Sequence, residues 1–587
     1  MKWVLADSDE NAVAALAGKA GLHPLIARLM VNRGIVDPSD ARSFLSCDLS
    51  ALSDPGVFSQ MKKAADRVRS AIAAREKIVV YGDYDVDGVT GTSLLYLALK
   101  RLGASVDRYL PDRLTEGYGL NGPALESIRS SGAGLVISVD CGVTAVREAD
   151  RARSLGLDLI ITDHHEFASS GPGPHGPDLP VELPDAYAVL HPRLVQPGVS
   201  REIRESVAGL TGVGIAFKLA QALLDADAGD EHLASYLGLV TLGTIADVGR
   251  ITGENRILVR HGLDRLSSDS GNRPGIAALK QVSGLGGKKI GVGMVGFTLA
   301  PRINASGRIE RADTAFRLLT TESREEAVGL ASALDVVNRE RQAVEEAIRE
   351  EARTICRRTD TEAAGAVVLS SDAWHPGVVG IVASRIVEEF YRPTALICLR
   401  DGVGKGSARS IPGFDLYEGL VACSDLLLGF GGHKYAAGFT IAKENIDLFR
   451  ERLSALALER VGPAGFTRSL TVDGAVELDE LTIGLMREID RLAPFGQGNP
   501  EPRLGARDLE VVSPRLVGNN HLKLRLRQRG GACFGAIAFN RGDLLGKQVK
   551  EGARLAVVFT PKVNAWNGTT SVELEIKDIK IDKENSK

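Results

Sequence analysis

Asp83, Asp85 and Asp87 occupy every second position directly after a short apolar run, Ile78-Val79-Val80-Tyr81, with Gly82 and Gly88 as turn residues. Carboxylates packed that densely at a strand end repel one another unless a cation sits between them. Two further apolar runs end the same way: 134–139 runs into Asp140, and 157–162 into Asp163-His164-His165. A fourth acid, Asp247, lies in the small-residue apolar segment 237–248, where a carboxylate needs a partner. Singly, each acid reads most simply as a helix cap. Together they predict a metal centre with Asp83/Asp85, Asp140 and His164/His165 on one rim and Asp247 as a further ligand. Carboxylates with one or two imidazoles and no thiolate favour Mn²⁺ or Mg²⁺, with zinc second.

The elements needed to position these groups are legible in the hydrophobic pattern. Apolar strands at 78–81, 104–109, 134–139 and 157–162 alternate with helical periodicity, as in Leu94, Leu95, Leu97, Ala98, Leu99 and Leu102. That alternation predicts a doubly wound parallel sheet, whose ligands gather at the carboxyl ends of its strands. The Pro/Gly-rich stretch 169–184 reads as an exposed loop beside the site, with His175 facing solvent. Residues 267–293 read as looser and glycine-rich, and they lack the G-x-x-x-x-G-K-[ST] spacing of an ATP site. From 323 to 358 the pattern is one long charged helix with Leu330, Ala333, Leu334, Val337, Val344, Ala347 and Ile348 on its apolar stripe, a connector between domains.

At 587 residues the chain is too long for one core, and 44% hydrophobic with 25% charged residues fits an ordinary globular protein. A net charge of −4 excludes binding of nucleic acid by bulk charge and leaves it to local basic patches. Six cysteines without a C-x-x-C pair argue against a zinc ribbon or a disulfide framework and suit a reducing compartment. No signal peptide and no membrane-spanning run is read, so a cytoplasmic location is expected.

A second α/β unit begins near 363. It carries two glycine-rich stretches, Gly404-Lys405-Gly406-Ser407-Ala408-Arg409-Ser410 and 429–439 around His433, which read as tight turns or as an anion cradle. Beside a metal centre, phosphate binding is the better reading. The C-terminal region is β-rich. In 521–529, Lys523, Arg525 and Arg527 alternate with leucines, so one strand face is apolar and the other basic, suited to tracking a nucleic-acid backbone. The alternative is an edge strand kept soluble by charge. Phe534 and Trp566 read as core residues first and stacking residues second.

Asp83-Tyr84-Asp85, Asp140, Asp163-His164-His165 and Asp247 resemble the DHH phosphoesterase superfamily, and Gly431-Gly432-His433 with Ala436-Ala437-Gly438 resembles its companion DHHA1 domain. Trp374-His375-Pro376-Gly377, Ala300-Pro301-Arg302 and Pro494-Phe495-Gly496-Gln497-Gly498-Asn499-Pro500 narrow this to the RecJ family. The resemblance implies a multidomain α/β chain: an N-terminal helical segment (1–70), a DHH catalytic domain (71–265), a linker with the long helix (266–358), a DHHA1-like domain (359–462) and a nucleic-acid-binding OB-fold β-barrel (463–587). It implies metal ligands at Asp83, Asp85, Asp140, His164 and Asp247, and catalytic work by Asp85, Asp140, His164 and His165. Arg113, Ser407, Arg409 and His433 would hold phosphate or the 5′ end, with Arg302 and Arg308 along the path between domains.

The implied activity is two-metal, 5′-to-3′ exonucleolytic hydrolysis of single-stranded DNA to 5′-mononucleotides, in repair and recombination. Single-stranded DNA is the implied partner, with a single-strand-binding protein and a helicase alongside. The other readings are a phosphoesterase of short oligonucleotides and a non-catalytic DNA-binding scaffold. Tyr81 where many members have His, Gly249-Arg250 in place of Val-Pro, and the 169–184 insertion depart from the family pattern.

Overall fold

The computed structural model describes residues 1–113, 115–167, 183–225, 230–268, 271–309, 311–358, 363–566 and 568–581. Most of the 169–184 stretch, including His175, lies outside them, as does the side chain of Trp566. The chain forms two compact units. One comprises Ser53–Gly249 and Gly253–Arg468; the other comprises Met1–Leu52, Arg250–Thr252 and Ser469–Lys587.

The larger unit opens with a five-stranded sheet: β1 (Lys77–Tyr81), β2 (Ser105–Tyr109), β3 (Ala133–Val139), β4 (Asp158–Thr162) and β5 (Ala188–Leu190). Every pairing is parallel and the spatial order is β2-β1-β3-β4-β5. The order reverses between β1 and β3, the switch point at which a doubly wound sheet opens a crevice for ligands. Ile78, Val80 and Ile137 on one face and Tyr81, Val136 and Ile161 on the other are fully buried, so both faces are covered. Three helices matter most: α1 (Val86–Arg101), α2 (Gly212–Leu224) and α3 (Leu237–Ala246), each buried along nearly its whole length.

Next comes α4 (Ala300–Ile309) and then the 35-residue α5 (Arg324–Arg358). Residues 267–293 are more regular than glycine content suggests, because Ile276 and Leu279 give Pro274–Val282 a buried helical face. On α5 the buried stripe runs through Ala327, Ala331, Leu334, Asn338, Arg341, Ile348 and Ala352, while Ala333 and Ala347 are exposed. The apolar pattern thus misplaces part of the stripe, because two polar residues occupy it.

A second sheet follows: β6 (Val367–Ser371), then α6 (Val379–Phe390), β7 (Thr394–Arg400), β8 (Val403–Arg409), β9 (Leu427–Gly432) and β10 (Ala436–Ala442), in the order β9-β10-β8-β7-β6. The stretches 404–410 and 429–439, read as turns or loops, are largely strands. Glycine there serves packing: a Cβ at Gly406 would meet the Phe439 ring at 2.2 Å.

In the smaller unit, β11 (Leu504–Val511), β12 (His521–Gln528), β13 (Cys533–Ala538), β14 (Arg554–Trp566) and β15 (Thr569–Ile581) run in the order β11-β14-β15-β13-β12. Pairing of Leu509–Val511 with Leu526–Gln528 closes the ring, which makes a five-stranded barrel of OB type. Leu522, Leu524 and Leu526 point into its core. The N-terminal segment is not purely helical, since Lys2–Leu5 pairs in parallel with Ser469–Val472.

One buried ion pair braces the larger unit. Lys218 Nζ lies 2.9 Å from Glu254 Oε2 and donates to Ser53 O at 2.5 Å, while Ser53 N–H donates to Glu254 Oε1 at 2.8 Å. Both side chains are fully buried. Removing one partner strands the other charge, so Glu254→Ala should destabilise the protein by about 3–5 kcal/mol, measured by denaturant unfolding.

Candidate metal centre and phosphate pocket

The loop after β1 places Asp83 and Asp85, and Asp85 caps α1 by accepting from Gly88 N–H at 3.0 Å. Asp140 follows β3 directly, with φ 63°, a left-handed conformation Asp tolerates better than most residues. His164 and His165 follow β4, and Asp247 caps the C-terminus of α3. These positions converge at the β1/β3 switch point. Ligand atoms of Asp83, Asp85 and Asp140 lie within 4.8 Å of one another, and so do those of Asp87, His164 and Asp247. The two groups meet where Asp140 Oδ1 stands 3.0 Å from His164 Nε2.

The donor set fits a pair of hard cations. Asp83 Oδ1, Asp140 Oδ1 and His164 Nε2 are buried without a hydrogen-bond partner, which leaves them available as ligand atoms for a cation. Burial, then the neighbouring carboxylates, pushes Asp83 and Asp140 well above the ordinary carboxylate range. The same causes push Asp87 to about 7 and Asp247 to about 8. Burial lowers His164 to about 4, leaving a neutral imidazole suited to ligation.

Spacing alone assigns no role to Asp87, Asp163 or Tyr118. Asp87 accepts from Gly212 N–H at 2.7 Å and Val213 N–H at 3.1 Å, tying α1 to α2 while facing His164 at 3.9 Å. Its place as third member of the alternating triplet was the available signal. Asp163 accepts from Val143 N–H and His164 N–H, and its Oδ1 lies 2.8 Å from His165 Nδ1. Burial opposes the charge on His165, but the Asp163 bond together with the charges of Asp163, Asp247 and Asp85 outweighs it and raises the imidazole to about 9. Tyr118 Oη sits 3.0 Å from His165 Nδ1 and donates to Asp140 O at 3.1 Å. Tyr81 is fully buried and donates to Gly119 O at 2.9 Å, so it pins the adjacent loop from below.

A cationic pocket adjoins the acids. Gly307 of α4 is pressed against the acid loop, where a Cβ would strike Tyr84 O at 2.3 Å. Arg113 lies over the Tyr84 ring at 4.8 Å. Arg308 donates to Gly377 O at 2.9 Å, and burial with Arg113, Arg341 and Arg409 nearby lowers it to about 10. Arg409 donates to Ser407 Oγ at 3.2 Å, and the first turn of α6, at Gly380, lies against both. The Arg193 bond holds Glu166 below its usual range, and His433 is close enough to add to that. Arg302 instead reaches Asp335 on α5 at 2.9 Å and Thr298 O at 2.6 Å.

The basic row lies in the other unit. Lys523 is paired with Glu573, and Arg527 with Glu510 at 2.8 Å. Arg525 has no ion-pair partner among the described residues. Phe534 packs against the barrel core.

Residues 77–244 match the DHH family N-terminal domain, 363–459 the DHHA1 domain and 472–578 the RecJ OB domain. The chain is 40% identical over 585 residues to the single-stranded-DNA-specific exonuclease RecJ of Bacillus subtilis, covering 99% of this chain and 71% of that protein. It is 34% identical to the Escherichia coli protein of the same name, covering 95% and 96%. Among solved structures, RecJ of Thermus thermophilus in complex with Mn²⁺ superposes with a TM-score of 0.80 at 30% identity, covering 99% of this chain and 80% of that one. The Mg²⁺ complex gives 0.75 at 29%, covering 99% and 79%.

Two outcomes follow from this geometry. Asp87, Asp247 and His165 all have folded-state pKa values above their ordinary ones, so their stabilisation is complete at acid pH. It is lost from pH 3.8 up to about 7 for Asp87, from 3.8 up to about 8 for Asp247 and from 6.5 up to about 9 for His165, so between pH 6.5 and 8.5 the change comes mainly from Asp247 and His165. His164 stays neutral across that window. Chelator-treated protein should therefore melt at lower temperature at pH 8.5 than at 6.5, and Mn²⁺ should raise the melting temperature more at pH 8.5. In salt titrations of single-strand binding, Arg525→Ala should lower the slope by about one, with Lys523→Ala and Arg527→Ala lowering it less.

Proposed function

This chain belongs to the RecJ family, and we propose that it degrades single-stranded DNA from the 5′ end, releasing 5′-mononucleotides. It is a metal-dependent exonuclease specific for single-stranded DNA, and it works with two divalent cations, Mn²⁺ or Mg²⁺. The observation that carries the reading is the meeting of an all-carboxylate group and an acid–imidazole group at Asp140 and His164, with a cationic pocket beside them in the same unit.

Asp83, Asp85 and Asp140 would hold one cation, and His164 with Asp247 the other, Asp87 completing that side. Bound there, the cations polarise the scissile phosphate and offset its charge. The remaining work falls to side chains. With Nδ1–H committed to Asp163, His165 offers Nε2–H to a phosphate oxygen or to the departing 3′-oxygen. Tyr118 orients that imidazole through its hydroxyl. Arg113, Arg308 and Arg409, with Ser407 and the N-terminus of α6, form a site for the terminal 5′-phosphate, and His433 adds a donor at its edge. Anchoring the terminus there sets the polarity. Arg302 acts from behind, fixing α4 on α5.

A single-strand-binding protein and a helicase are the partners suited to such a substrate, in repair or recombination, and the setting is cytoplasmic. No single helix among the described residues is long and apolar enough to cross a membrane.

Single strands labelled at either end and incubated with Mn²⁺ test the reading: a 5′ label should appear first as mononucleotide. Asp85→Ala should lower turnover by about 10³-fold or more while single-strand affinity is retained. Cleavage confined to the shortest oligonucleotides, or 3′ label released first, would contradict it.

A further inference from the structure

Phe297 is 78% exposed, the most exposed of the large apolar side chains in the described residues. Scattered exposed apolar residues are ordinary on protein surfaces, but this one has an unusual mounting. It projects from a π-helical turn, Val295–Leu299, whose end residues Val295 and Leu299 are fully buried, so the ring stands on a fixed base. Such turns are rare and cluster at functional sites. The same helical run continues into α4, which carries Arg308 to the cationic pocket and Gly307 to the acid loop. Eleven residues of helix separate Phe297 from Arg308, a span of about 16 Å. On its other side the turn lies against α3: the Cβ position of Gly296 is 3.6 Å from Ile245, two residues before Asp247. Val248, next to that acid, is 67% exposed at φ 58°, a left-handed conformation that strains a β-branched residue.

We propose that Phe297 is a base-stacking post for the strand being degraded: its ring receives one nucleobase a few nucleotides from the bound end and so holds the backbone over the acid groups. A ring accepts any base through its π face, which suits an enzyme that must consume every sequence. Continuity with the helix that forms the phosphate pocket favours a nucleobase over a protein side chain as the occupant. The inference rests on the single-strand exonuclease reading above.

The test uses the full-length enzyme with Mn²⁺ and oligonucleotides carrying one abasic site, moved stepwise from the 5′ end. Wild-type enzyme should slow at one abasic position, and Phe297→Ala should raise KM by about 10-fold on intact strands and be indifferent to that position. Phe297→Trp should restore the wild-type profile, whereas Phe297→Leu, equally apolar but without a ring, should not. Identical abasic profiles for wild type and Phe297→Ala, or full rescue by Phe297→Leu, would overturn stacking while leaving the exonuclease reading intact. A wild-type enzyme inert on single strands would overturn that reading and the stacking with it.

Discussion

Mutual repulsion among buried carboxylates is the constraint around which the larger unit is arranged. Asp83, Asp87 and Asp140 are each almost wholly buried at the carboxyl ends of one sheet, and among the described residues no lysine or arginine lies within ion-pair distance of them. A neutral His164 lies between them, and the one charged imidazole, His165, is already engaged by Asp163. Such a cluster is tolerable only when protonated or when cations occupy it. The fold accepts that cost because the switch point of a parallel sheet opens several strand ends onto one crevice.

Close packing then carries the second half of the machinery to the first. Gly307 lets α4 sit against Tyr84, and Arg308 on the next residue reaches the main chain at Gly377, just ahead of α6. Arg302 is used one helix deeper, where Asp335 fastens α4 to α5. The distance between the acids and Arg308 is therefore set by helix packing, as expected where a reacting phosphate must be held within a fraction of an ångström.

Much of this was legible in the residues. Strand ends bearing acid or imidazole, alternating with helical periodicity, pointed to the sheet and to Asp83, Asp85, Asp140, His164 and Asp247 as neighbours. Partners defined by main-chain geometry were not legible. Asp87 meets the amides of Gly212 and Val213, 125 and 126 residues away, and Tyr118 meets His165, 47 residues away. Glycine misled in a specific way. At Gly406 it signals close packing of a strand against the Phe439 ring rather than a loop, because the cost of glycine in a strand is offset where an aromatic ring needs the room. The charge of β12 was legible, but its neutralisation was not, since Glu573 and Glu510 come from strands distant in the chain.

That last contrast separates two kinds of positive charge. On the barrel, lysine and arginine largely face acids, so an approaching phosphate must compete for them, and the gain is small. In the larger unit Arg113, Arg308 and Arg409 have no acidic partner within ion-pair distance among the described residues, and burial weakens the hold of Arg308 and Arg409 on their protons. Clustered, unpaired guanidiniums in a half-buried pocket are unfavourable in the empty protein. They would become favourable if the doubly charged terminal phosphate proposed above completed them. On that proposal a chain with a net charge of −4 would select a strand terminus by local desolvated charge rather than by bulk attraction. Affinity concentrated at the terminus is what an enzyme needs if it is to start at ends and ignore the interior of the polymer.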